Sequence, residues 1–137
     1  MTKLKISLLM ILCTVFCISL LPNGLGQDQS ALEVVDSAIC SNVENRACVD
    51  PKGEFSSGVD RLYCFTRISG AKGDTEVTHV WYFGDIERAR VTLAVRSSSY
   101  RTYSSKRIQP HEIGPWRVEV LDSAGTLLKK IPFSVVQ

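Results

Sequence analysis

From Leu32 to Val135, apolar residues recur at every second position in short runs, and each run stops at Gly, Pro, Ser or Asp. No stretch keeps a 3.6-residue apolar period over three helical turns. A chain patterned this way buries its apolar side chains as short strands with one face turned inward. DRLYCFTRI (60–68) is the clearest case, with Leu62, Cys64, Thr66 and Ile68 on one face and Arg61, Tyr63, Phe65 and Arg67 on the other. VTHVWYF (77–83), ARVTLAVRS (89–97), WRVEVLD (116–122) and TLLKKIPFSV (126–135) repeat the pattern, and DSAG (122–125) reads as a turn. ALEVVDSAIC (31–40) is the first candidate strand, with Leu32, Val34, Ala38 and Cys40 of one parity. The interval 41–58, interrupted by Pro51, Gly53 and Gly58, reads as a long loop. About six to eight strands with one apolar face each predict an all-β fold. It is a small antiparallel β-sandwich, immunoglobulin-like in general architecture, with Trp81 and Trp116 in its core.

The N-terminal end follows a different rule. Residues 1–26 carry Lys3 and Lys5, then an uncharged apolar run from Ile6 to Leu21, then Pro22, Gly24 and Gly26. This order predicts a secretory signal peptide, cleaved to leave one domain over 27–137 that is exported to the periplasm or outside the cell, with no stable membrane span after cleavage. Lys3 and Lys5 account for the formal net charge of +2, so the remainder is balanced. A balanced domain has no electrostatic footprint for nucleic acid. Past residue 26 the cysteines are Cys40, Cys48 and Cys64, enough for one disulfide in an oxidising compartment. Cys40 and Cys64 each share a parity with apolar neighbours, Ala38 and Leu62, which predicts a Cys40–Cys64 bond with Cys48 as the leftover thiol. The rival Cys40–Cys48 bond closes a shorter loop. His79 and His111 are the only histidines, and no compact ligand cluster suggests a metal or any other cofactor.

SSSYRTYSSKRIQP (97–110) departs from the alternation, since neither parity is apolar. One reading makes it an edge strand whose Lys and Arg discourage edge-to-edge pairing. The other makes it a recognition surface of Tyr100, Arg101, Tyr103, Lys106 and Arg107, in which tyrosines offer rigid contact area and arginines offer forked donors. Catalysis has little to draw on. His79 sits mid-strand on the face of Trp81, as a satisfied, half-buried imidazole would, and the carboxylates are scattered through turns and outer faces.

HVWYF, VTLAV, YRTYSSKRI, GPWRVEVLDSAG and IPFSV, with AIC (38–40) and LYCFTRI (62–68) upstream, resemble the bacterial family known as domain of unknown function 2914. The resemblance runs from about Val34 to Val135. It places the family's His-x-Trp feature on His79 and Trp81, and its aromatic-Arg-x-aromatic-Ser-Ser-Lys feature on Tyr100, Arg101, Tyr103, Ser104, Ser105 and Lys106. Its Gly-x-Trp-Arg-Val feature falls on Gly114, Trp116, Arg117 and Val118. Tyr103 stands where the family often has tryptophan, and Cys48 where it usually has proline. The resemblance implies a secreted or membrane-attached envelope protein and implies no activity. The expected function is therefore a non-catalytic exported envelope module for protein interaction or assembly, its partner another envelope protein. The alternative is a glycan-binding module using the Tyr/Arg surface.

Overall fold

A computed structural model describes residues 31–137. The segment expected to be a signal peptide lies outside the described residues. Among the described residues every regular element is a strand: β1 (Glu33–Cys40), β2 (Asn42–Glu44), β3 (Ala47–Val49), β4 (Glu54–Ser56), β5 (Arg61–Ser69), β6 (Thr75–Phe83), β7 (Ile86–Val95), β8 (Ser99–Arg107), β9 (Gly114–Leu121) and β10 (Leu127–Val136). They form a three-stranded sheet ordered β1-β5-β8, a five-stranded sheet ordered β4-β10-β9-β6-β7, and the small β2–β3 hairpin. The two larger sheets bury their apolar faces against each other, so the all-β sandwich expected from the alternation is the fold observed. All pairings are antiparallel except β4 with β10.

The inward parity of each long strand supplies the core. Leu62, Cys64 and Ile68 from β5 meet Val77 and Trp81 from β6, Val118 and Val120 from β9, and Ile131, Phe133 and Val135 from β10. On the five-stranded sheet, Phe133 and Phe83 lie opposite Trp116 on its two neighbouring strands. Trp116 stacks on Phe133 at 5.9 Å, and Trp81 meets Phe133 edge-on at 6.0 Å. Aromatic rings at this spacing add to what area burial alone contributes. Both tryptophans are therefore core residues, as read from the sequence.

Two expectations fail, and each has a local cause. The interval 41–58 is structured: it folds into β2, β3 and β4, three short elements. β2 and β3 meet through a two-residue turn, Asn45-Arg46, in which both residues have positive φ (50° and 60°). That is the backbone a tight hairpin of matching twist requires, but Arg46 stands where glycine would be favoured, so the sequence did not advertise the turn.

The disulfide is Cys40–Cys48, with Cα atoms 5.6 Å apart, and Cys64 is a free, buried thiol. The expected Cys40–Cys64 bond is ruled out by register. Val34 lies opposite Ile68, but after an irregularity between Val34 and Asp36 the pairing continues as Ile39 opposite Cys64 and Cys40 opposite Tyr63. Residues directly opposite share a face. Cys64 and Ile39 therefore point into the core, while Cys40 points out of the other face. A bulge exchanges the two faces of the strand beyond it. Leu32 and Val34 are inward before it, Ile39 after it. Cys40 consequently faces the β2–β3 hairpin, and Cys48 on β3 is the cysteine within reach.

Candidate functional site

Among the described residues, a chain of polar groups crosses the sandwich interior. Thr66 on β5 and Ser104 on β8 face His79 and Trp81 on β6, across the gap between the sheets. Thr66 Oγ1 lies 3.1 Å from His79 Nε2, and Ser104 Oγ lies 2.7 Å from His79 Nδ1. Trp81 Nε1–H donates to the same Ser104 oxygen at 3.0 Å. The period-2 alternation puts all four side chains inward, and burial makes the hydrogen bonds obligatory. Ser104 is 4% exposed and the other three are fully buried. Burial drives the His79 pKa down to about 4, so the ring is neutral near neutral pH. A Ser–His contact of this length suits nucleophile activation in an open cleft, but here both groups are sealed from solvent. The arrangement ties the two sheets together instead. His79 is thus a satisfied imidazole, as expected, though fully rather than half buried.

The five residues of the candidate recognition surface do not share one face. β8 is the edge of the three-stranded sheet. In register with β5, Tyr100 lies opposite Ile68 and Lys106 opposite Leu62, which is the inner parity. Tyr100 packs against the core accordingly. Arg101, Tyr103 and Arg107 lie opposite Arg67, Phe65 and Arg61, the outer parity. Tyr103 is 44% exposed and meets Tyr63 edge-on at 6.1 Å. Arg107 Nε donates to Asp60 Oδ1 at 3.2 Å, and Arg61 Nη1 donates to Ser105 Oγ at 2.9 Å. The outer face of β5 and β8 thus holds two directly opposed arginine pairs, Arg67 with Arg101 and Arg61 with Arg107.

The β2–β3 hairpin folds over this face, tethered by Cys40–Cys48. The Cys48 sulfur, which carries no hydrogen in the disulfide, lies 3.7 Å from the Ala38 carbonyl oxygen as a close contact. Phe65, on the outer parity, is only 5% exposed. Between the hairpin, the outer face and the middle of β10, at Ile131 and Pro132, runs an open groove of about 550 Å³, with Asp36, Lys52, Arg67 and Arg101 among its walls. A smaller recess of about 240 Å³ continues past Arg101 between Arg46, Tyr100 and Tyr103. Arg46 and Arg67 were not among the residues picked out from sequence. Arg67 appeared only as the outer parity of a strand, and Arg46 lay in a presumed loop.

Residues 74–135 match the family model described as Protein of unknown function (DUF2914). The resemblance read from the motifs therefore holds over β6–β10; β1–β5 lie outside the matched span. No curated protein matches the chain. Several of the residues that carry the resemblance are structural here. His79, Trp81 and Ser104, from two separate motifs, meet in the buried chain of hydrogen bonds between the sheets. Arg117, on the outer face of the five-stranded sheet, donates from Nη1 to the Gly84 carbonyl at 2.6 Å and from Nε to Glu119 at 2.7 Å, and its guanidinium covers the Tyr82 ring at 4.1 Å. It clamps the β6–β7 turn.

A further polar group went unread in the sequence. Glu112, between β8 and β9, is buried; its Oε1 accepts from the Gln109 N–H at 2.9 Å, and its carbonyl accepts from Trp116 Nε1–H at 3.0 Å. Its Oε2 lies 3.0 Å from Arg88 Nη2, close enough for an ion pair although the angle is poor for a hydrogen bond. A buried carboxylate needs such a partner. Glu112 and Arg88 fix the loop that turns the chain from one sheet to the other.

Proposed function

We propose that this chain is an exported, non-catalytic envelope module that acts by binding another protein through the outer face of β5 and β8. One observation carries the reading: Arg67, Arg101 and Tyr103 present charge and aromatic area on an edge sheet, and neither Arg67 nor Arg101 has an ion-pair or hydrogen-bond partner among the described residues. Arg and Tyr are the residue types enriched where proteins meet. The disulfide supports export, because such bonds persist in oxidising compartments. The sealed Ser104–His79 contact argues against hydrolysis there. A glycan is the second reading, on the strength of the open recess beside Tyr103.

Capture from envelope extract tests the first reading against the second. Wild-type protein should retain a specific protein partner, and Arg101→Ala with Arg107→Ala should lose it while keeping the melting midpoint, since exposed substitutions usually shift stability by less than about 0.5 kcal/mol. Array binding to neutral glycans with no protein capture would support the glycan reading instead.

A further inference from the structure

Like charges directly opposite each other in a sheet destabilise it unless something neutralises them. The two arginine pairs on the outer face differ in this respect. Arg61 and Arg107 are bound, to Ser105 and Asp60. Arg67 and Arg101 are bound to nothing among the described residues, although Asp36 stands in the same rung on β1. Opposed residues of neighbouring strands have Cβ atoms roughly 5 Å apart. Two forked donors that close together are suited to hold one carboxylate between them.

A third guanidinium approaches from the hairpin. Arg46 occupies a turn position with φ of 60°, a backbone conformation that suits glycine and strains a side chain. It makes no hydrogen bond or ion pair among the described residues, and it lines the recess it shares with Arg101 and Tyr103. Arg46, strained at its own position, adjoins Arg101, which in turn stands opposite Arg67, so the three form a cationic track in a domain of otherwise balanced charge.

We infer that this groove is a docking site for an acidic, carboxylate-bearing segment of a partner protein, with Arg67 and Arg101 as the paired anchor and Arg46 as a second contact along the track. The inference rests on the protein-binding reading above and names the partner's chemistry. The groove, about 550 Å³ and open to solvent, is far larger than a single inorganic anion. Its aromatic floor, Phe65, is covered, so a sugar ring finds little to stack on there. Charge complementarity along an extended chain is what remains.

The probe is a synthetic octaglutamate peptide, titrated beside octaglutamine and an oligogalacturonate of matched length. Octaglutamate should bind saturably, octaglutamine should not, and binding should weaken as salt rises from roughly 50 to 300 mM, because exposed charges are screened. Arg67→Gln with Arg101→Gln should weaken binding by about tenfold or more, and Arg46→Gly should weaken it less. The same substitutions should leave the melting midpoint unchanged or higher, because they remove repulsion and turn strain. Lys72→Gln with Arg96→Gln removes equal charge outside the groove and should leave affinity intact. Absence of saturable octaglutamate binding, equal affinity in the groove variants, or tighter oligogalacturonate binding at the same arginines would each overturn the inference. Baiting envelope extract with wild-type and with the triple variant Arg46→Gly, Arg67→Gln, Arg101→Gln separates the two levels. Protein capture that persists in the triple variant rejects the acidic groove alone. No specific capture by either rejects the protein-binding reading as well.

Discussion

At the scale of single residues, His79 carries the clearest consequence. Its ring is buried between Thr66 and Ser104 with no carboxylate among its hydrogen-bond partners, and its pKa falls from 6.5 to about 4. The unfolded chain takes up a proton below pH 6.5 that the folded chain refuses until about pH 4. The contribution to stability is complete above pH 6.5 and drains away as pH falls towards 4, by roughly 3 kcal/mol over that window. Denaturant titrations at a series of pH values should show this loss, and a folded His79→Gln variant should show a flatter profile across it. An identical profile in the variant would place the titrating group elsewhere. Cys64 illustrates the opposite sign, since burial pushes its thiol pKa up and keeps it protonated and inert.

At the scale of elements, the decisive feature is the irregularity near Val35. The alternation in β1 was legible, but a bulge costs one residue of register and leaves no mark in a list of apolar positions. Reading parity straight through it put Cys40 on the core face with Cys64. The same bulge sends Cys40 to the hairpin and so builds one wall of the groove. Closing the loop from Cys40 to Cys48 should stabilise the fold by about 2.5 kcal/mol on chain entropy alone. Replacing both cysteines with serine should cost that amount in denaturant titrations, and should expose hairpin amides to hydrogen exchange before those of β5 and β9. Peptide mapping under non-reducing conditions should link Cys40 to Cys48. Alkylation of the native protein should leave Cys64 unmodified until denaturant is added, and a Cys64 that reacts in the native state would contradict its burial.

At the scale of the whole molecule, export makes a direct prediction. The order of charge, apolar run and small residues over 1–26 predicts removal of that segment, so the intact mass of secreted protein should correspond to a chain starting near Gln27. A mass retaining Met1 to Gly26 would make the segment an anchor instead. The two-sheet architecture followed from period-2 patterning because burying one face of every strand has few other solutions. Strand existence for β5, β6, β7, β9 and β10 was legible for the same reason, as were the core positions of Trp81 and Trp116, whereas β8 lacks the alternation and was legible as a strand only through its edge-like basic residues. What the chain carries locally was therefore readable: polarity alternation, turn residues, the core aromatics and the aromatic-basic character of β8. What depends on pairing across the chain was not. Tertiary register decided which face Cys40 occupies, that Ser104 reaches His79 and Trp81 from the opposite sheet, and that Arg67 stands opposite Arg101 with Arg46 nearby. Each of these follows from which residue lies across from which, and a single inserted residue resets that choice for a whole strand.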